Sequence, residues 1–341
     1  MFRTLNPSYR IGKYALVYIN VLCMQNKITM TSIFTVGIIG CGPIGIECGL
    51  HALHNGYNIL LFEVGDDLAS NICLWSHVQL FTPFRMNISS LGQTYLQAEL
   101  TKDELNSYLT GQEYIEKYLR PLGLKFINNI LFKHRVISIG RYSDENKFVL
   151  LVEDKNENME KYYYVDYLID ASGTYKCPNS IGIGNIPAVN EQRLESFIKY
   201  DIPNLNDDRI KLSLAHKRIL LVGKGHSAAN SALLLEEVLQ NVDYIIANVG
   251  YQPDRALYSN LNVHECYKTK GPISLAAKLL ASCNDTTDCL KQISHGKESL
   301  KTTESNFFIV GVKSYGKLTN FLLKIGFEQV EQVFQLINES R

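Results

Sequence analysis

The sequence predicts an α/β fold with two parallel-sheet units, the second much smaller than the first and inserted in it. Three observations carry this. Residues 34–63 read as strand, glycine-rich turn, helix and strand. Residues 218–250 repeat that order. Between them, residues 130–173 hold three apolar runs with short turns, an antiparallel excursion that returns to a buried strand.

The bulk numbers permit this. The chain has 341 residues, 46% hydrophobic and 20% charged, which leaves room for two cored domains. Its 34 basic and 34 acidic residues cancel, so no bulk field favours nucleic acid or an acidic membrane. The eight cysteines form no C-x-x-C pair, which fits neither a zinc knuckle nor a redox dithiol. Scattered in this way they act as small core hydrophobes in a reducing compartment. Residues 1–32 carry Arg3, Arg10, Lys13 and Lys27 and no acid. The apolar Tyr14–Met24 is shorter than the ~20 residues a membrane span needs, so no transmembrane segment is expected. The stretch reads as an N-terminal extension, with Met24 and Met30 as alternative starts. A cytoplasmic location is favoured over a mitochondrial presequence, since no small-residue cleavage site follows.

The first unit is the most informative. Phe34–Ile39 is a short apolar strand, and Gly40, Gly42 and Gly45 give G-x-G-x-x-G at its end, with Pro43 and Ile44 between. Residues 43–55 read as a helix capped by Gly56, and Tyr57–Glu63 is a second buried strand. Gly40 permits the tight turn, Gly42 admits a pyrophosphate, and Gly45 lets helix and strand touch. The helix N-terminus offers free N–H groups to phosphates. Glu63, ~20 residues on, is placed to accept from ribose hydroxyls. The unit binds a dinucleotide, and Glu63 serves either FAD or NAD.

Leu74–Asn87 has no clean period. It contains Trp75, Pro83, Arg85 and Asn87 and reads equally as a shaped loop over a planar ligand or as aromatic core. Thr110–Leu122 reads as a helix. The apolar strand Tyr167–Thr174 ends in Ala-Ser-Gly-Thr, which brings bare backbone near a ligand. In the second unit Gly223, Gly225, Ser227 and Ala228 give G-x-G-x-x-A, and Ser227 is placed to meet a pyrophosphate. The chain then reaches its next strand, "DYIIANVGYQPD", almost at once. Only one β-α-β unit remains, with no carboxylate to hold a ribose. Weak nicotinamide binding, a vestigial turn and an incomplete gene product all stay open. Ser227 lacks the last glycine of a nucleophile elbow, and His264 with Cys266 lacks two metal ligands, so hydrolase and metal readings fail. Gly271–Ala281 carries a helical apolar stripe and reads as a core or interdomain helix.

Together "GCGPIG…E", "DASGTYKCPN", "VGKGHSAAN" and "FFIVGVKSYGKLTNFLLKIGFEQV" resemble the flavin-containing monooxygenase-like flavoproteins, FAD/NAD(P)-binding oxidoreductases with two dinucleotide-binding domains. The resemblance covers about residues 33–341. Its most specific pieces are "VQLFTPFRMN", "GHSAAN" and "VKSYGK…FLL…GFEQV". It implies a Rossmann-like FAD domain over 33–190 and 300–341, and a shortened NAD(P)-binding-like domain over 191–299. FAD would be held by Gly40, Gly42, Pro43, Ile44, Gly45 and Glu63, with Ser172 and Gly173 near the flavin at the crossover. Gly311 and Lys313 would join them after a last strand "FFIVG", followed by a helix from about Leu318 whose N-terminus faces the flavin. One departure is visible: many such flavoproteins carry Gly-Asp where this chain has Gly311, Val312 and Lys313. Gly223, Gly225 and Ser227 would hold NADPH or NADH. The implied reaction passes electrons from NAD(P)H through the flavin and an oxygen atom from O2 to a small nitrogen or sulfur nucleophile. Asn87 is the candidate polar group near the flavin, from the resemblance alone, and no general base is readable. The alternatives are a catalytically impaired FAD-binding protein, a truncated isoform without productive NAD(P)H binding, and a flavin reductase or oxidase with another electron source.

Overall fold

In Thr35–Ile39 (β1) Val36 and Ile38 point to one side and Gly37 and Ile39 to the other, and the strand needs apolar cover on both faces. It gets that cover in a five-stranded, all-parallel sheet in the order Phe307–Ile309 (β11), Tyr167–Asp170 (β7), β1, Asn58–Glu63 (β2) and Ile130–Phe132 (β3). The structure is a computed structural model that describes residues 33–97, 99–142, 146–223, 225–234, 243–282 and 292–340. The expected extension over 1–32 lies outside them.

One face of the sheet carries helices. Pro43–His54 (α1) crosses from β1 to β2, and Leu323–Glu339 (α5) packs along it. Buried Val330, Val333 and Ile337 recur at helical spacing on α5. Residues 111–123 form one helix (α2) capped by Thr110, with a π turn over Ile115–Leu119 just before Pro121. Proline has no N–H to continue the regular ladder there. The other face is covered by the antiparallel sheet His134–Tyr142 (β4), Lys147–Asp154 (β5) and Met159–Val165 (β6). Gly37 is glycine because a Cβ there would lie 2.9 Å from Val165 of that sheet.

Two apolar runs that the sequence presents as single strands are each broken in two. "ILFKHRVISIG" divides at Lys133, which has φ 60°, so β3 joins the parallel sheet and β4 the antiparallel one. "EKYYYVDYLIDASG" divides at Asp166 into β6 and β7. The last strand stands where expected. The helix after it does not: Gly311–Tyr315 is a short 3-10 turn, and α5 starts at Leu323 instead of Leu318. Gly316, at φ 64° with a Cβ position 2.0 Å from Thr269 O, turns the chain away before a helix can begin.

The second sheet is parallel and has three strands, Ile198–Lys199 (β8), Tyr244–Ala247 (β10) and Ile219–Val222 (β9). The sequence indicates only β9 and β10. β8 covers one edge of β10 but is two residues long, too short to leave a periodic signal. His226–Leu234 (α3) follows β9, and Ile273–Ser282 (α4) buries Leu275, Ala276 and Leu279. The chain enters and leaves this part side by side. Asn179 N–H donates to Gly250 O at 2.9 Å, Gln252 N–H to Cys177 O at 2.8 Å, and Tyr175 stacks on Tyr251 with centroids 4.9 Å apart. Among the described residues no helix is long and apolar enough to cross a membrane.

Candidate functional site: two joined cavities

The glycine turn after β1 shapes the first cavity, of about 570 Å³. Gly40 has φ 96°, and a Cβ there would sit 2.8 Å from Ala171 O of the neighbouring strand. A Cβ on Gly45 would fall 1.8 Å from Gly40 O, so only glycine lets α1 start this close to β1. Gly42 differs: nothing lies within 4 Å of its Cβ position, which faces the cavity. Gly42 is also the N-cap of α1, has no side-chain cap, and is followed by Pro43. The first-turn N–H groups are therefore open to an anion.

Glu63 closes the turn. Its Oε1 accepts from Gly65 N–H at 2.8 Å and Ser70 Oγ at 2.7 Å, while Oε2 accepts from Cys41 N–H at 2.8 Å. Oε2 keeps a lone pair for a ligand hydroxyl, and Glu63 lines the cavity. These features fit a dinucleotide: a bare cradle, an open helix end and a pinned carboxylate. Arg135, Lys155 and Lys176 add positive charge to the wall.

The far wall comes from β7 and β11. Ser172, Gly173, Gly311 and Val312 line the cavity, as do Pro43 and Ile44. Lys313 does not reach it. Lys313 and Asp170 are both 0% exposed, with Nζ 2.6 Å from Asp170 Oδ2. Nζ also donates to Ser172 Oγ at 3.0 Å, and Ser172 donates to Asp170 Oδ1 from Oγ at 2.6 Å and from N–H at 3.1 Å. Lys313 thus acts from behind the wall through Ser172, which corrects the expectation of a direct contact. Asp170, unremarked in the sequence, is the centre of this network. A charge at the end of an otherwise apolar strand was the available signal.

A second cavity of about 420 Å³ continues from the first, and Pro43, Ile72, Trp75, Tyr175, Phe321 and Leu323 line both. Its other walls are the Trp75–Asn87 loop and the second sheet, which contributes Tyr251, Asn248, His226 and Ser227. The loop reading of Leu74–Asn87 fits this placement. Asn87 lines the cavity, but its amide is engaged. Oδ1 accepts from Thr82 Oγ1 at 2.8 Å, and Nδ2 donates to Thr82 O at 3.1 Å and Pro83 O at 3.3 Å. Gly223 and Gly225 shape the second turn without lining either cavity. Sequence reading missed Tyr175, Tyr200 and Tyr251, which are far apart in the chain and meet only in the folded wall.

Cys41, fully buried, and the half-buried Cys177 also stand in the wall of the first cavity. Burial, then the charge of Glu63, pushes the Cys41 thiol well up, and burial followed by Asp254 raises Cys177. Both are held as neutral thiols, the unreactive form.

A family described as pyridine nucleotide-disulphide oxidoreductase matches residues 37–339, nearly the whole described chain. The chain belongs to that family. The chain also resembles the 4-hydroxybenzoate brominase (decarboxylating) of Marinomonas mediterranea, 22% identical over 209 residues, which are 60% of this chain and 37% of the brominase. The Pseudoalteromonas luteoviolacea enzyme of the same name is 23% identical over 206 residues, 60% and 36% of the two chains. The match thus spans little more than a third of these curated relatives. Among solved structures, bacillithiol disulfide reductase from Bacillus cereus superposes with a TM-score of 0.66 at 16% identity, covering 90% of this chain and 99% of the reductase. Tmm from Pelagibacter sp. strain HTCC7211 gives 0.57 at 14% identity, covering 90% and 76%. At these identities the likeness is one of fold, and it establishes the Rossmann-type α/β architecture.

Proposed function

We propose that this family member is an FAD-dependent, NAD(P)H-linked oxidoreductase of the monooxygenase type, which oxygenates a small nucleophilic substrate. One observation carries the reading. The Gly40–Gly45 cradle and Glu63 open into a cavity that runs past Ser172 and Gly311 into a second, largely apolar cavity bordered by His226 and Ser227. A bound FAD supplies the redox chemistry. Gly42 and the α1 N–H groups take its pyrophosphate, and Glu63 Oε2 accepts from a ribose hydroxyl. The Lys313–Asp170–Ser172 network fixes the wall between β7 and β11. Leu323, at the uncapped start of α5, lines both cavities, so the helix end faces the junction where a flavin ring would lie. The aromatic walls exclude water from that junction. Disulfide reduction through a protein dithiol is not favoured, because the chain has no C-x-x-C pair.

A second reading, a flavin-binding protein without productive NAD(P)H binding, is favoured by Asn248. In strand register Asn248 stands after Ala247, where Glu63 stands after Phe62 in the first unit. It is an amide, and both its ends are used within the protein. Anaerobic titration separates the readings. The purified protein is expected to show a flavin spectrum that bleaches with NADPH or NADH. A flavin that does not bleach leaves only the binding protein, and absence of flavin after reconstitution with FAD removes both.

A further inference from the structure

The second cavity has the size of a small-ligand pocket and is built from ring faces. Trp75, Phe81, Tyr114, Tyr175, Tyr200, Tyr251 and Phe321 line it, with aliphatic side chains between them. Among the described residues that line it there is no Asp, Glu, Lys or Arg. The first cavity, by contrast, is lined by Glu63, Arg135, Lys155, Lys176 and Asp254.

The polar groups around the second cavity are largely spent on one another. Tyr114 Oη donates to Asn87 O at 2.6 Å, and the Asn87 amide is bonded at both ends within its own loop. Tyr175 Oη donates to Asp201 at 2.8 Å, outside the cavity lining. Asn248 Oδ1 accepts from Ser231 Oγ at 2.7 Å, and its Nδ2 donates to Tyr200 O at 3.4 Å. What faces the space is mostly apolar surface. His226 and Ser227 at one end keep side-chain polar atoms unbonded to other described residues.

We propose that the second cavity binds the organic substrate, and that this substrate is a small, uncharged, aromatic molecule. The proposal rests on the flavin reading above, since the six residues lining both cavities place a ligand here against the dinucleotide's reactive end. An ionised carboxylate or ammonium entering this space would lose its water and meet no counter-charge. A neutral ring loses little hydration and gains stacked and edge contacts. One polar substituent is accommodated at the His226–Ser227 end.

The test uses a matched pair of probes, methyl phenyl sulfide and para-methylthiobenzoate, which differ by one carboxylate. Trp75 is the chain's only tryptophan and lines both cavities, so its emission reports occupancy of either. Binding is read by Trp75 emission and by calorimetry, on apo and FAD-loaded protein under mildly alkaline conditions. The sulfide is expected to bind at least about tenfold tighter than the carboxylate, with FAD present, because the carboxylate stays unpaired. Phe81, 55% exposed at the rim beside His226, allows Phe81→Arg without disturbing the core. That variant is expected to invert the ranking. The proposal is overturned if the carboxylate binds as well as the sulfide, if neither binds, or if the ranking is unmoved in a folded Phe81→Arg protein. It is also overturned if FAD loading abolishes sulfide binding, which would make the second cavity part of the flavin's own seat. Failure of the flavin reading has its own signature: added FAD leaves Trp75 emission and the visible spectrum unchanged, while the ranking of the two probes can still be measured.

Discussion

The molecule contains two glycine turns of the same design, and they differ in three atoms' worth of chemistry. After β1 the third position is Gly45, and its missing Cβ lets α1 press onto Gly40 O. After β9 that position is Ala228, whose methyl lies 3.0 Å from where a Gly223 Cβ would be. The residue closing the first turn is Glu63, with a lone pair left for a ligand. Its register partner in the second is Asn248, turned inward to hold Ser231 and Tyr200 O. The first turn sits in a five-stranded sheet covered on both faces, and the second in a three-stranded sheet whose strands have two to four residues. A tight nucleotide turn thus needs more than its glycines: it needs a rigid strand pair behind it and a carboxylate not already spent. The contrast explains why FAD is the firmer of the two cofactor assignments.

Gly45→Ala attacks the comparison most directly. It drives a methyl into Gly40 O, and we expect destabilisation of about 4 kcal/mol or more, read by urea unfolding, with loss of flavin. The reverse change at the second turn, Ala228→Gly, is expected to cost no more than the usual helix penalty of about 1 kcal/mol. Lys313→Met comes next. It strands Asp170 in the core, at a cost of about 3–5 kcal/mol, and the double variant with Asp170→Asn is expected to recover most of it. If the single variant unfolds at the wild-type urea midpoint, the buried pair does not hold the cavity wall. Smaller effects than that of Lys313→Met come from exchanging the closing residues. Glu63→Gln is expected to weaken FAD binding by about 1.5–3 kcal/mol, the range for a hydrogen bond to a charged group. Asn248→Glu is expected to tighten NADH binding by a smaller margin, since the new carboxylate must also replace the Ser231 contact. An unchanged NADH affinity would show that the second turn lacks more than its carboxylate.

The sequence exposes what is local. The first turn, its helix and Glu63 lie within residues 34–63, where period and spacing state the geometry outright. The last strand and the core helix near Leu275 are legible for the same reason. The reading fails where partners are distant or elements short. Lys313 is 141 residues from Ser172, and a lysine in an apolar stretch gives no hint that it will be buried against a strand end. β8 has two residues and no period. The start of α5 shifted by five residues because Gly316 and its contact with Thr269 are tertiary facts. The aromatic wall draws on residues from Trp75 to Phe321 and has no signature along the chain.

The paired crossing of residues 175–179 with 249–252 has an evolutionary consequence. Because outgoing and returning strands are bonded to each other, the ends of the inserted segment are held together by the flavin-side frame and not by the insert itself. Its length is then nearly a free parameter, since a loop of any size can be grafted onto two ends already fixed side by side. A lineage can trim or expand this segment without unravelling the nucleotide site beneath it. The ribbon thus separates the closure of the frame from the size of what hangs on it.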